Sequence, residues 1–135
     1  MDEYFVDKAN IYKYQNPGEI LVAGKSVAKE WIVKKPVPYG LEVPDALPED
    51  INLLIPGEHN RENAAIAAEV LKAYGLSEAE IKKGLETFVG VEGRLQYIKA
   101  ISGVEIYNDN NATTPQATEQ ALKSLAKGKN IILIC

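Results

Sequence analysis

Short apolar runs alternate with segments of helical periodicity, and this alternation is the feature that most constrains the fold. The run Asn52–Ile55 ends in Pro56 and Gly57 and leads into alanine and leucine residues at helical spacing. A second run, Ile131–Ile134, follows another helical segment and is typical of a parallel strand that is covered on both faces. A strand, helix, strand order with a right-handed crossover predicts an α/β fold.

Turn residues and capping signals predict where the other elements begin and end. In the first fifty residues we predict a helix within Asp2–Tyr14, a turn at Asn16–Gly18, a short strand over Glu19–Ala23, and irregular chain or edge strands between Ile32 and Asp50. Two helices follow: one carries Ala64, Ala67, Ala68 and Leu71 and ends at Gly75, and the other begins with a capping box of Ser77 and Glu80 and carries Ile81, Leu85 and Phe88. The last predicted elements are strands over Leu95–Ala100 and Val104–Tyr107 and a helix from Pro115 to Gly128.

Composition excludes several classes of protein. The chain has 46% hydrophobic and 25% charged residues, which is the balance of a soluble globular protein. Its net charge of -4 and the absence of basic clusters disfavour nucleic acid as a partner. No apolar run approaches the ~18 residues of a membrane-spanning helix, and the acidic residues after Met1 lead us to expect no signal peptide. The single cysteine, Cys135, is expected in a buried strand, and the composition suits the cytoplasm.

The first polar cluster follows the run at Asn52–Ile55 and contains His59, Asn60 and Asn63. An asparagine offers a donor and an acceptor together, so it can read a purine edge from the start of a helix. Taken singly, Asn60 is better explained as a helix N-cap and Asn63 as a solvated residue of the first turn. His59 is the only histidine, and capping or packing explains it better than metal binding.

The second cluster lies between Tyr107 and Pro115, where a polar loop enters a helix. Asp109 can accept hydrogen bonds from ribose hydroxyls, and Thr113 can donate to a carboxylate. Arg94, at the junction of the two patterns, is a candidate for a nucleotide phosphate or sugar. The alternative is a capping loop in which Thr114 caps the helix, with Arg94 paired to a nearby acid.

Three motifs in order resemble the Mur ligases, the enzymes of peptidoglycan precursor synthesis. They read Gly57-Glu58-His59-Asn60-Arg61-Glu62-Asn63-Ala64, then Gly90-Val91-Glu92-Gly93-Arg94, then Asn108-Asp109-Asn110-Asn111-Ala112-Thr113-Thr114-Pro115. The match runs from about Asn52 to the end of the chain. The last motif is similar to that of the branch that adds D-glutamate to UDP-N-acetylmuramoyl-L-alanine.

The resemblance implies ATP-dependent amide-bond formation through an acyl phosphate. It implies that Asn60 and Asn63 contact adenine, that Arg94 and Asp109 hold the ribose and phosphate region in the same cleft, and that Thr113 binds the carboxylate of D-glutamate. The implied partners are small molecules: ATP, the UDP-linked muramoyl precursor and D-glutamate. The implied cofactors are ATP and Mg²⁺.

The resemblance also implies that this chain is a fragment. Residues 1–90 would be the later half of a central ATP-binding domain, and residues 91–135 the start of a truncated Rossmann-like C-terminal domain. No Gly-x-x-Gly-Lys-Thr or Ser phosphate loop occurs in the 135 residues, so we expect the Mg²⁺ ligands elsewhere and assign no catalytic residue here. Two positions depart from the family pattern: Gly93 replaces a histidine, and Asn111 stands where a lysine is common.

Two other functions stay open at this point. One is a ligase similar to folylpolyglutamate synthetase, which shares the architecture but usually differs in the loop before the last helix. The other is a non-catalytic nucleotide-binding or interaction domain, which the missing phosphate loop and the departures at Gly93 and Asn111 favour.

Overall fold

The computed structural model describes residues 6–29, 40–126, 128 and 130–134. Its elements are α1 (Asn10–Lys13), β1 (Leu21–Val22), α2 (Lys25–Val27), β2 (Leu41–Glu42), α3 (Glu58–Ala73), α4 (Glu78–Thr87), β3 (Gln96–Ile101), β4 (Val104–Asn108) and α5 (Pro115–Leu125). This mixture of helices and strands confirms the α/β class. No helix in the described ranges is both long and apolar enough to cross a membrane.

The chain divides into two compact units. The first consists of Met1–Ala46 with Asn63–Ile81, and the second of Leu47–Glu62 with Lys82–Cys135. The predicted domain boundary near residue 90 is a separate inference from family resemblance, and it stays a prediction.

The first unit contains a short parallel pair, in which Leu21 pairs with Leu41 and Val22 with Glu42. The predicted strand at Glu19–Ala23 is therefore confirmed over its two central residues, after the predicted turn at Pro17 and Gly18. Buried Leu21, Ala23 and Ala28 form a small core, against which Tyr12 and Leu41 pack.

Helix α3 ends as its sequence predicts. Gly75 has a φ of 90°, and the Leu76 amide donates to the Leu71 carbonyl at 3.1 Å, which is the hydrogen bond of a Schellman C-cap. Ala64 and Ala68 lie on its buried face, with Ala65 beside them, whereas the predicted face residue Ala67 is exposed.

In the second unit, β3 and β4 form the predicted antiparallel hairpin around Ser102 and Gly103. Tyr97 and Tyr107 are cross-strand partners whose rings meet edge to face, with centroids 5.5 Å apart. Thr114 caps α5 by accepting a hydrogen bond from the Ala117 amide, with Pro115 at the first helical position, as predicted.

The predicted strand at Asn52–Ile55 is wrong, because this segment has no regular secondary structure. Its flanking backbone groups bond to side chains rather than to a neighbouring strand. The Ile51 carbonyl accepts from the Arg61 guanidinium, and the Asn52 amide donates to the Glu86 carboxylate. An apolar run becomes a strand only where another strand offers a ladder of hydrogen bonds, and side chains make these contacts instead.

The predicted parallel strand at Ile131–Ile134 is also wrong. The segment has no strand pairing, and Ile132 and Ile134 are 87% and 91% exposed. The right-handed crossover predicted from Val104 onwards is therefore not formed over the described residues. The reason is again the missing partner: the strand with which β4 pairs is β3, in antiparallel orientation. Cys135 and the start of the predicted first helix, residues 2–5, lie outside the described residues.

The capping box of α4 predicts a pH-dependent contribution to stability. The Ser77 amide and hydroxyl both donate to the Glu80 carboxylate, at 2.9 and 2.6 Å, and the hydroxyl bond, followed by the amide bond, lowers the pKa of Glu80 below 4.5. Because the folded-state pKa is lowered, the stabilisation is present above the unfolded-state value and is lost as the pH falls through the folded-state value.

We therefore expect Glu80→Ala to lower the thermal midpoint at pH 7 and to have progressively less effect as the pH falls below about 4.5. Thermal unfolding of both proteins across pH 3 to 8 measures this. Glu80→Gln is the matched control, because its amide oxygen still accepts from Ser77 but does not titrate. A gap between wild type and Glu80→Ala that stays constant over the whole range would contradict the assignment.

Candidate functional site

Asn60 lies in the first turn of α3, as predicted, but it does not cap the helix. The helix begins at Glu58, and the side-chain amide of Asn60 donates to the Pro56 carbonyl at 2.6 Å. The correction follows from Gly57, whose φ of 108° lets the chain turn into the helix before the predicted cap. Asn60 is half-buried and held by the backbone that precedes the helix, so its orientation is fixed.

Asn63 lies one turn further along α3 and belongs to the first unit. It is exposed and not buried against apolar side chains. Its contact with adenine stays a prediction.

His59 is half-buried, and its Nδ1 atom is buried without a hydrogen-bond partner among the described residues. A Cβ atom at Gly57 would lie 2.6 Å from His59 Cε1 and would also collide with Ser124 Oγ. Residue 57 must therefore be glycine for His59 and Ser124 to approach the backbone here. His59 is therefore closely packed against the backbone at Gly57, and the absence of metal binding there stays a prediction.

Arg61 is the functional-motif residue whose role sequence reasoning missed. Its guanidinium donates to three backbone carbonyls, those of Leu47, Pro48 and Ile51, at 3.0, 2.8 and 3.0 Å. Five fixed N–H donors suit guanidinium to this task. Arg61 thus orders the irregular chain that leads into the first motif. The available sequence signal was an arginine next to a segment interrupted by prolines, which leaves carbonyls without regular partners.

A cavity of about 500 Å³ lies within the second unit, between the irregular segment 51–57 with the start of α3 and the side chains of α5. Its polar lining includes Asn52, Glu58, Arg61, Gln120, Lys123 and Ser124. Four of these side chains already have partners: Arg61 donates to the carbonyls above, Lys123 pairs with Glu119, Ser124 donates to the Gln120 carbonyl, and Asn52 donates to the Asp50 carbonyl. Asn60 and Asp109 do not line the cavity.

The turn that carries Arg94 is tied to the loop that carries Asp109 and Thr113. Asp109 Oδ1 accepts from the backbone amide of Leu95 at 2.9 Å, and the backbone amide of Asn111 donates to the Gly93 carbonyl at 3.0 Å. Asn111 Nδ2 donates to the Glu92 carbonyl at 3.0 Å. Three hydrogen bonds therefore hold segment 92–95 against segment 109–111, and the predicted residues of the second and third motifs are brought together.

Within this arrangement Arg94 and Thr113 are exposed, whereas Asp109 is half-buried. The Leu95 amide fixes one oxygen of the Asp109 carboxylate, so the side chain has a defined direction. The turn thus carries an exposed guanidinium, and the loop tied to it carries a held carboxylate and an exposed threonine, which offer donors for an anion and an acceptor for hydroxyl groups.

The described part of the chain groups no three His, Cys, Asp or Glu side chains in a way that could hold a metal ion.

Comparison with known proteins shows which ligases this chain is similar to. The chain is 48% identical over 71 residues to the UDP-N-acetylmuramoylalanine--D-glutamate ligase of Ligilactobacillus salivarius, which covers 53% of this chain and 16% of the relative. It is 44% identical over 79 residues to the ligase of that name from Listeria monocytogenes, covering 58% of this chain and 17% of the relative. The Bacillus subtilis ligase is 37% identical over 114 residues, covering 78% of this chain and 25% of the relative.

The chain is homologous to a segment of these D-glutamate ligases. The resemblance to the D-glutamate-adding branch of the Mur ligases is thereby confirmed. The match spans between about a sixth and a quarter of the length of these relatives. No protein-family model matches the chain.

Arg61 offers a test of how the first motif is held. We expect Arg61→Met, which keeps an apolar stem but removes all donors, to lower the free energy of unfolding by about 1–3 kcal/mol, because three carbonyls lose a charged partner. Arg61→Lys should give a free energy of unfolding between those of the wild type and Arg61→Met, since one ammonium group cannot reach all three carbonyls in the same geometry. Chemical denaturation measures both.

The matched control is Arg94→Met, which removes the same charge from an exposed side chain of the second unit. It should change the free energy of unfolding by less than about 0.5 kcal/mol. Equal effects of Arg61→Met and Arg94→Met would show that the three carbonyl contacts do not stabilise the segment.

Proposed function

We propose that this chain is the part of a UDP-N-acetylmuramoylalanine--D-glutamate ligase that spans the end of the central ATP-binding domain, residues 1–90, and the start of the Rossmann-like C-terminal domain, residues 91–135. The observation that carries the proposal is the identity of 37–48% to ligases of this name. The ordered, hydrogen-bonded geometry of the first and third motifs supports it. The whole protein would act in the cytoplasm on small-molecule substrates in peptidoglycan precursor synthesis.

The nucleotide would be held by groups from several motifs. Asn60 and Asn63 would contact adenine from the start of α3, and the Asn60 bond to Pro56 supports this role by fixing the amide. Arg94 and Asp109 would contact the ribose and phosphate region. The Leu95 amide supports the role of Asp109, because it orients one carboxylate oxygen and thereby sets the direction of the other.

Thr113 would donate its hydroxyl hydrogen to a carboxylate of D-glutamate. Its exposure, and its place on the loop that Asn111 ties to the Arg94 turn, support this assignment. The substrate amine and the nucleotide phosphate would then be brought close by two neighbouring segments of the same unit.

The reaction would transfer the terminal phosphoryl group of ATP to the carboxylate of the UDP-linked precursor. The amine of D-glutamate would attack the acyl carbon, an amide bond would form, and inorganic phosphate would leave. The residues described here bind and orient in this scheme. When bound, Mg²⁺ would neutralise phosphate charge, but the described residues offer no ligand set for it.

We expect the isolated 135-residue chain to have no ligase turnover and millimolar or weaker affinity for ATP. A triphosphate is normally held by a loop of backbone amides, a lysine and Mg²⁺, and the sequence contains no such loop. A few adenine and ribose hydrogen bonds of ~0.5–1.5 kcal/mol each must offset ~4 kcal/mol or more of lost translational and rotational freedom. Calorimetric titration with ATP and Mg²⁺, beside a phosphate-release assay with both substrates, measures this; micromolar binding or turnover would contradict it.

A chimera tests the function itself. The aligned 114-residue segment of the Bacillus subtilis ligase is replaced by the corresponding segment of this chain. We expect phosphate release that requires both D-glutamate and the UDP-linked precursor. A chimera that folds and binds ATP but shows no D-glutamate-dependent turnover would instead support a non-catalytic nucleotide-binding domain.

Within the chimera, Asp109→Asn should lower kcat/KM for ATP roughly tenfold or more, because the charge that would accept from the ribose is lost. The amide oxygen that this substitution introduces can still accept from the Leu95 amide, so the fold of the loop is preserved. Glu92→Gln is the control, because it removes one negative charge from the same turn without touching Asp109, and it should leave kcat/KM unchanged. Equal effects of the two substitutions would exclude a specific role for Asp109.

A further inference from the structure

The two positions at which this chain departs from the family pattern are in contact with each other. Gly93 is a buried residue with a φ of 72°, and Asn111 lies directly against it. A Cβ atom built at residue 93 would lie 2.8 Å from Asn111 Nδ2 and 3.2 Å from Asn111 Cγ, and it would collide with Asn110 Oδ1. Sequence comparison treats positions 93 and 111 as separate, whereas the fold makes them neighbours.

The two collisions differ in how readily they can be relieved. Asn110 is exposed and is held through its backbone amide, which donates to Asn108 Oδ1, so its side chain can rotate away. The Asn111 side chain is held in place, because its Nδ2 donates to the Glu92 carbonyl at 3.0 Å. A side chain at residue 93 would therefore break the Asn111 contact first.

Gly93 is itself fixed from two sides. Its amide donates to Gln96 Oε1 at 3.0 Å, and its carbonyl accepts from the Asn111 amide at 3.0 Å. The next residues of the turn are Arg94 and Leu95, and the Leu95 amide is the donor that orients Asp109. The Asn111 contacts thus lie at the base of the arrangement that presents Arg94 and Asp109.

We propose that Gly93 and Asn111 form an interdependent pair, and that Asn111 is a positioning residue that holds Asp109 on the Leu95 amide. Asn111 fills the space that the missing side chain at residue 93 leaves, and its two hydrogen bonds tie the loop to the turn. A side chain at residue 93 is compatible with this geometry only when residue 111 is changed as well. The effect on ligand binding rests on the proposed function, whereas the interdependence of the pair does not.

A double-mutant cycle on the 135-residue chain tests the pair. Alanine at a left-handed glycine costs backbone strain wherever it stands, and Gly103→Ala measures that strain alone, since φ there is 82° and no atom lies within 4 Å of an added Cβ. We expect Gly103→Ala to lower the thermal midpoint by roughly 3–6 °C. Gly93→Ala should lower it by about twice as much, because the Asn111 contact is lost too.

In the Asn111→Ala background, Gly93→Ala should cost no more than Gly103→Ala does, because the Asn111 side-chain atoms are gone and the exposed Asn110 side chain can rotate away. If Gly93→Ala alone does not fold, recovery of a cooperative unfolding transition in the double variant would equally show that Asn111→Ala relieves the cost of Gly93→Ala. Additive effects of Gly93→Ala and Asn111→Ala would overturn the pairing. A cycle in which Gly93→Ala couples to Asn110→Ala and not to Asn111→Ala would overturn it as well.

Amide hydrogen exchange tests the positioning role. Asn111→Asp keeps the size of the side chain but removes the donor to the Glu92 carbonyl, so we expect exchange of the Leu95 amide to accelerate roughly tenfold. Asn110→Asp adds the same charge one residue away and should leave the Leu95 amide unchanged. Amides within α3 should be unaffected in both variants, which distinguishes a local effect from lower global stability. Unchanged exchange at Leu95, or equal acceleration by both variants, would overturn the role.

In the chimera described above, Asn111→Asp should raise KM for ATP several-fold with little change in kcat, and Asn110→Asp should change neither. A chimera without turnover would refute the proposed ligase function, while the exchange experiment, which needs no ligand, would still decide the role of Asn111.

Discussion

The hydrogen bond from the Leu95 amide to Asp109 is the interaction on which the candidate site of the second unit depends. Leu95 is a buried residue with a φ of 46°, a conformation that leucine rarely adopts, and the held carboxylate compensates for it by satisfying the buried amide. Because of this bond the turn carrying Arg94 and the loop carrying Thr113 lie together. In the proposed site the same carboxylate would anchor the strained turn and accept from the ligand, so the stability of the loop and its function would depend on one side chain.

A second constraint acts before α3, where the chain has no sheet to satisfy its backbone. Arg61 replaces the missing strand partner by donating to three carbonyls, and Glu86 accepts from the Asn52 amide. Side chains can satisfy an irregular segment in this way, but each bond must be placed individually, whereas a strand ladder repeats itself. The geometry of the first motif therefore depends on Arg61, a residue between Asn60 and Asn63 to which the sequence analysis gave no role.

The buried apolar residues of the described chain are mostly small. Seven of them are alanines: Ala9, Ala23, Ala28, Ala64, Ala65, Ala68 and Ala121. Small side chains let backbones approach closely but bury little area each, so hydrogen bonds and caps carry a larger part of the local order. The hairpin of β3 and β4 has the same limitation, because Ile98, Ile101 and Val104 stay about half exposed or more on a sheet of two strands.

The sequence by itself determined the helix caps, the hairpin turn and the resemblance of the chain to known ligases. The cap at Thr114, the capping box at Ser77, the C-cap at Gly75 and the hairpin turn at Gly103 all follow from interactions among residues a few positions apart, which a sequence displays directly. The three motifs likewise indicated the resemblance to D-glutamate ligases, because several motifs in a fixed order are a more specific signal than any one of them.

Only the tertiary structure decided which distant groups meet. The apolar runs at Asn52–Ile55 and Ile131–Ile134 have strand-like composition but form no strand, because pairing depends on a partner that local sequence does not specify. Arg61 reaches three carbonyls, and Gly93 contacts Asn111 although the whole β3–β4 hairpin separates them in sequence. Both contacts depend on chain reversals at residues with left-handed backbone conformation. The direction in which such a reversal sends the chain depends on the hydrogen bonds that receive it, and those exist only once the whole unit has folded.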